Sequence, residues 1–148
     1  MRYLSLSVLT LGLSLAATPV MASAPDAPPS PRSMSVKELS ERFGIELQGI
    51  RPVAGGYMLD MRYIVRDSTK AAHLLGHDLI PQLIDERRNA RLITPAPPKI
   101  GPLRQTGATL RDGRSYFVFF ANPGKGVKAG DPVAVMLGDI RLEGLTVQ

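Results

Sequence analysis

The sequence predicts a mainly β protein, an antiparallel immunoglobulin-like β-sandwich with one or two short helices. Three observations favour this fold class. After residue 44, apolar residues recur mostly with a period of two, the spacing of a strand with one buried face. Glycine- and proline-rich turns separate seven or eight such segments, and no strand–helix–strand unit repeats along the chain. A small β-barrel is the alternative architecture that these observations allow.

The chain begins with the features of a secretory signal peptide, over residues 1–22. Arg2 provides a positive start, residues 4–17 are apolar apart from Ser, Thr and Gly, and Val20, Met21 and Ala22 form a small-residue cleavage site. The apolar run of about 14 residues is shorter than the roughly 20 needed to span a bilayer. We therefore predict cleavage after Ala22, a periplasmic or secreted mature chain, and no membrane span once the leader is removed.

A proline-rich tether over residues 23–33 precedes the predicted sandwich domain, which covers residues 34–148. The domain should open with a short helix. Ser35 and Glu38 have the spacing of a capping box, and Gly44 suits the position just after the helix end. One face of this helix is apolar and should pack on the end or edge of a sheet, through Val36, Leu39 and Phe43.

The turn residues predict three hairpins. Gly55-Gly56 predicts the first hairpin, and Gly49 predicts a bulge in its leading strand. Residues 87–90 predict a second hairpin, with Asn89 in a left-handed conformation. The third turns near Gly138, with a bulge at Gly144.

The connections between these hairpins complete the predicted architecture. A second short helix should run over residues 70–75 after an Asp67 or Ser68 cap. Residues 94–102 contain four prolines and should cross between the sheets, ahead of a short edge strand over residues 103–106. Residues 115–121 are apolar on both faces, which predicts a central strand covered on both sides.

Composition excludes several classes of function. The sequence contains no cysteine, so disulfides, thiolate catalysis, thiolate zinc sites and a lipid-modified N-terminal cysteine are ruled out. The net charge is +5, or +4 without Arg2, and the basic residues are dispersed along the chain. A nucleic-acid-binding protein usually concentrates its basic residues on one face or helix, so we expect no nucleic-acid partner.

Several motifs together resemble an uncharacterised family of bacterial exported β-rich domains, over about 100 residues. The matching segments are residues 54–63 (AGGYMLDMRY), 65–67 (VRD), 83–86 (LIDE), 116–124 (YFVFFANPG) and 135–139 (VMLGD). The resemblance implies an exported β-rich domain. It implies no activity and no catalytic residue, because no activity is assigned to that family.

His73 and His77 are the candidate metal ligands. Their i, i+4 spacing places both imidazoles on one face if a helix continues through them, and methionines at 58, 61 and 136 could add soft ligands for copper. Gly76 lies between the histidines and can end such a helix. The competing interpretation, which the sequence favours, is a pair of surface histidines and a set of core methionines.

No motif predicts catalysis. Residues 122–128 lack the spacing of a phosphate-binding loop, no G-x-S-x-G occurs, and Asp60 with Arg62 is interpreted as a surface ion pair. We therefore expect a non-catalytic periplasmic domain, without a cofactor, that binds a protein partner or supports an envelope assembly. Its predicted contact surfaces are the strand edges and the hairpin that carries Arg87, Arg88 and Arg91. The alternative is a metal-handling accessory protein, with copper as the candidate metal.

Overall fold

Two β-sheets face each other in the computed structural model, which describes residues 30–76, 79–105 and 109–148. The elements are β1 (Arg32–Met34), α1 (Val36–Phe43), β2 (Ile45–Val53), β3 (Met58–Val65), α2 (Ser68–Ala72), β4 (Gln82–Asp85), β5 (Ala90–Ile93), β6 (Ser115–Ala121), β7 (Pro132–Leu137) and β8 (Ile140–Thr146). The five-stranded sheet has the order β1-β8-β7-β4-β5, and the three-stranded sheet has the order β2-β3-β6. The prediction of a mainly β, antiparallel sandwich with two short helices is confirmed. One pair departs from it, since β1 runs parallel to β8.

Among the described residues, no helix is long and apolar enough to cross a membrane. The predicted leader and most of the tether lie outside these residues.

Helix α1 forms as its capping residues predict. The Ser35 hydroxyl accepts a hydrogen bond from the Glu38 backbone N–H at 3.2 Å, and Leu39 is buried. Gly44 ends the helix with a φ of +61°, and it also lies against the start of α2. A Cβ atom at Gly44 would stand 2.5 Å from the Asp67 Cβ. Glycine is therefore required both for the turn and for the close approach.

The predicted hairpins and bulges are confirmed. Leu47 pairs with Tyr63 but Gly49 pairs with Arg62, so β2 has one extra residue at the predicted bulge. The first turn is a four-residue loop in which three successive residues have positive φ: Ala54, Gly55 and Gly56. In the other hairpins, Asn89 has a φ of +51°, Gly138 lies in the turn between β7 and β8, and a bulge occurs at Gly144.

Helix α2 is shorter than predicted. The Asp67 carboxylate accepts a hydrogen bond from the Lys70 backbone N–H at 3.0 Å, so the predicted cap is confirmed. This hydrogen bond lowers the pKa of Asp67. The helix ends at Ala72, three residues before the predicted end, and a turn follows it.

The prediction that β6 is covered on both faces is wrong, because its outer face is half-buried, but it does pair on both sides, with β3 and with the predicted edge strand at residues 103–105. It lies at one side of the three-stranded sheet, where residues 103–105 extend the pairing through an isolated bridge between Arg104 and Val118. Its inward side chains are buried, whereas Phe117 and Phe119 are half-buried on the outer face with ring centroids 5.0 Å apart. The two outer rings pack on each other, so the strand is apolar on both faces without a third layer.

The outer face of β3 is also more buried than predicted. Asp60 is 7% exposed, and its carboxylate accepts a hydrogen bond from the Arg62 Nε at 2.8 Å. The predicted ion pair is present, but its acidic member is buried because Phe119 of β6 lies directly across from it.

One end of the sandwich is closed by the buried side chain of Asn122. Its Nδ2 donates hydrogen bonds to the carbonyl oxygens of Gly56 and Val127, both at 2.8 Å, and its Oδ1 accepts from the Val127 N–H at 3.0 Å. These bonds join the β2–β3 turn to the loop that carries the chain from one sheet to the other. We call this part of the molecule the closed end.

Phe120 provides a test of this packing. It is fully buried on the inner face of β6, so Phe120→Ala should lower the free energy of unfolding by about 3–5 kcal/mol. Phe119→Ala is the matched control, and should cost less, about 1–2 kcal/mol, because this ring is half-buried. Urea unfolding measures both. Equal losses would contradict the assigned orientation of β6.

Candidate functional site

A cavity of about 340 Å³ lies between the two sheets, in the half of the sandwich away from the closed end. Most of its lining is aliphatic and comes from both sheets and α1. Small-molecule sites in proteins begin at about 300 Å³ and are mostly apolar with a few polar groups. The cavity has this size and character. Its apolar walls include Leu39, Ile45, Met61, Val118, Val135 and Leu142.

The cavity reaches the surface between α2 and the segment that precedes β6. Thr69 and Ala72 of α2, and Thr109 across from them, line the cavity and are themselves exposed. The Ser68 backbone N–H donates to the Asp112 carboxylate at 2.7 Å, which holds the start of α2 against residues 109–114. We call this opening the mouth. Its polar side chains surround the entrance to an apolar interior.

Among the described residues that line the cavity, one is charged, and it is Arg104. It pairs with Val118, and residues directly across a strand pair share a face. Because Val118 faces inward, Arg104 does too. Its guanidinium donates a hydrogen bond to the carbonyl oxygen of Leu79. Sequence reasoning missed Arg104, since the neighbouring Leu103 is the residue that apolar patterning would place inside.

Tyr63 lies in the same part of the lining. Burial raises its pKa to about 12, although the nearby positive charge of Arg104 acts in the opposite direction. Its ring stacks on Tyr116 with a centroid distance of 5.8 Å. The Tyr116 hydroxyl accepts a hydrogen bond from the Arg111 N–H at 2.9 Å, so this aromatic pair also holds the segment beside the mouth.

The three arginines predicted as a contact surface lie on the β4–β5 hairpin, away from the cavity lining. Arg87 pairs with Asp131, and Arg88 pairs with Asp85. The pKa of Asp131 is lowered, first by the Lys128 backbone N–H and then by Arg87. Arg91 donates to the Gln82 side chain at 3.3 Å. Arg87 therefore joins the hairpin to the loop that carries Asp131, whereas the contacts of Arg88 and Arg91 lie within the hairpin. Their role in partner binding stays a prediction.

The proposed metal ligands are only partly described. His73 is the C-cap residue that follows the last residue of α2, and His77 lies outside the described residues. The helix does not continue past His73 through Gly76, so the shared helix face assumed from the spacing is not formed. Within the described ranges, no group of three or more His, Asp or Glu side chains is placed to hold a metal ion. Metal binding by His73 and His77 stays a prediction.

The methionines do not form a cluster either. Met58 and Met61 lie on opposite faces of β3, and Met136 belongs to the other sheet. Met61 is in the core, where it lines the cavity.

Comparisons with known proteins found no matching family model, no similar curated protein and no similar solved structure. The resemblance to an exported bacterial family stays a prediction, and function has to be argued from the cavity and its lining.

The raised pKa of Tyr63 predicts a pH dependence of stability. In the unfolded chain a tyrosine ionises near pH 10, whereas folded Tyr63 keeps its proton to about pH 12. Stability should therefore fall as the pH rises through this interval, by roughly 2–3 kcal/mol at its upper end. In urea unfolding between pH 9 and 12, the free energy of unfolding of Tyr63→Phe should lack this pH-dependent decrease. The control for the chemical change is Tyr57→Phe, which deletes an exposed hydroxyl. If the wild type and Tyr63→Phe lose stability in parallel, the burial of this hydroxyl is contradicted.

Proposed function

We propose that this protein is a non-catalytic, exported binding protein whose site is the cavity between its sheets, and that the ligand is an apolar small molecule. The observation that carries the proposal is an aliphatic cavity of about 340 Å³ that opens to the surface at one end of the sandwich. Filling such a cavity removes apolar surface from water, which stabilises the complex by about 0.8 kcal/mol for each buried methylene.

Ligand entry through the mouth is supported by the exposure of the residues around it. Ala72 is exposed at the end of α2 and still lines the cavity, so a ligand passing this point moves directly from solvent to the aliphatic walls. Thr69 and Thr109 also lie at the mouth, where they provide hydroxyl groups. A polar entrance with an apolar interior is a common arrangement in small-molecule sites.

The test is the binding of a neutral apolar probe. Octanol and decanol should bind to the full mature chain, and the two extra methylenes of decanol should increase affinity by about tenfold. Ala72→Trp should obstruct the mouth and weaken decanol binding by about tenfold or more. Isothermal titration calorimetry measures each affinity.

The matched control for this experiment is Ala129→Trp. Ala129 is another exposed alanine, and it lies in the loop of the closed end. This variant should bind decanol as the wild type does. Absence of decanol binding to the wild type, or equal weakening by both substitutions, would refute the cavity as a binding site.

A second candidate function is the binding of an acidic protein partner by the β4–β5 hairpin. The supporting observation is the exposure of its arginines, since the side chains of Arg87 and Arg88 are 63% and 57% exposed. Their acidic partners Asp131 and Asp85 are nearly buried, but a guanidinium has five N–H donors, so its exposed face can still donate to a carboxylate of a partner.

This second proposal predicts a loss of partner capture. The double substitution Arg88→Glu with Arg91→Glu should abolish capture of a specific protein from an envelope extract, while Lys37→Glu on α1 should not. The Arg87–Asp131 pair is left intact in this design because it holds the loop at the closed end. The hairpin is contradicted as the contact surface if the double variant captures the same protein as the wild type.

A further inference from the structure

The hydroxyl group of Tyr63 leads to a more specific inference about the ligand. Tyr63 is 6% exposed and lines the cavity from the inner face of β3. Its hydroxyl makes no hydrogen bond to any residue that the structure describes, whereas the hydroxyl of Tyr116, stacked beside it, accepts one from the Arg111 N–H. A buried tyrosine hydroxyl usually has a hydrogen-bond partner, and a buried polar group without one is costly. The Tyr63 hydroxyl is therefore a polar group in the cavity lining that no described part of the fold uses.

The properties of this hydroxyl determine which kind of partner it needs. Burial raises the pKa of Tyr63 to about 12, so the hydroxyl keeps its proton and is a hydrogen-bond donor at neutral pH. Arg104 lies close enough to act on this pKa, but a guanidinium has only N–H donors and cannot accept a hydrogen bond. A partner for Tyr63 must therefore bring an acceptor atom into the cavity.

We propose that the cavity selects a neutral carbonyl compound, whose oxygen accepts a hydrogen bond from the Tyr63 hydroxyl and whose apolar part lies between the sheets. This inference rests on the proposed function, because it presupposes that the cavity holds a ligand. A carbonyl oxygen has two lone pairs and no proton, so it matches a single donor. A neutral carbonyl group is also far less costly to bury among aliphatic side chains than an ionised group.

The strand pairing shows where the apolar part of such a ligand lies. Strand β3 runs from the closed end toward α2, so Met61 is nearer the closed end than Tyr63. Val118 of β6 pairs with Met61, and both line the cavity. Val135 and Leu142 line it from the five-stranded sheet. A ligand with its oxygen at Tyr63 therefore extends away from the helices along side chains that carry no nitrogen or oxygen.

Two probes with the same carbon skeleton test the inference. Acetophenone has one carbonyl oxygen where ethylbenzene has two hydrogen atoms, and each is titrated into the full mature chain by calorimetry at pH 7. Tyr63→Phe removes only the hydroxyl group. It should weaken acetophenone binding by about fivefold, the typical value of one hydrogen bond, and change ethylbenzene binding by less than about twofold. The matched control is Tyr116→Phe, which removes a hydroxyl outside the described lining and should change both affinities by the same factor.

Urea unfolding at pH 7 provides a second measurement that needs no ligand. Tyr63→Phe should leave the urea midpoint unchanged or raise it, because the removed hydroxyl has no partner among the described residues. Tyr116→Phe should lower the midpoint, because it loses the hydrogen bond from Arg111.

The outcomes separate this inference from the proposed function. A lower urea midpoint for Tyr63→Phe would overturn the inference, since the hydroxyl would then stabilise the fold itself. Unchanged acetophenone binding by Tyr63→Phe, or equal weakening of both probes, would overturn the carbonyl ligand but not the cavity. If neither probe nor decanol binds the wild type, the proposed function fails and this inference fails with it.

Discussion

The buried amide of Asn122 is the interaction on which the shape of this sandwich depends. It uses three hydrogen bonds to join the β2–β3 turn to the loop that crosses between the sheets. A buried polar group left without a partner costs about 1–3 kcal/mol, so separating the turn from the loop would be unfavourable. Asp131 adds to it, since its carboxylate binds the Lys128 N–H and the Arg87 side chain. These contacts fix the end of the sandwich that lies opposite α1 and α2.

The cavity is the consequence of this one-sided closure. At the closed end, Phe120, Val133 and Val147 fill the space between the sheets. At the other end, α1 and α2 have only eight and five residues, and they cover the sheets without filling the space beneath them. The Gly44–Asp67 contact fixes the two helices to each other, and the opening lies on the far side of α2, where Arg104, Gln105, Thr109 and Leu110 line the cavity. The proposed ligand takes the place that side chains occupy in the other half of the core.

Local features of this structure were predictable from sequence, whereas the features that form the site were not. The Ser35 and Asp67 caps and the positive φ of Gly44, Asn89 and Gly138 depend on a few neighbouring residues. The half-buried outer face of β6 and the inward direction of Arg104 depend on how distant segments pack and pair. The sequence predicts an edge strand over residues 103–106 without saying which side chains face inward, and the pairing with Val118 is what places Arg104 inside.

The most direct test of this account is to observe where an apolar ligand binds in the full mature chain. Methyl-labelled protein is titrated with decanol and followed by NMR. The account predicts chemical-shift changes at Ile45, Val118 and Val135, which line the cavity, with little change at Val133 and Val147 in the closed end. Changes confined to the exposed Ile93 and Ile100, with the cavity methyl groups unaffected, would contradict the claim that the space between the sheets is a binding site.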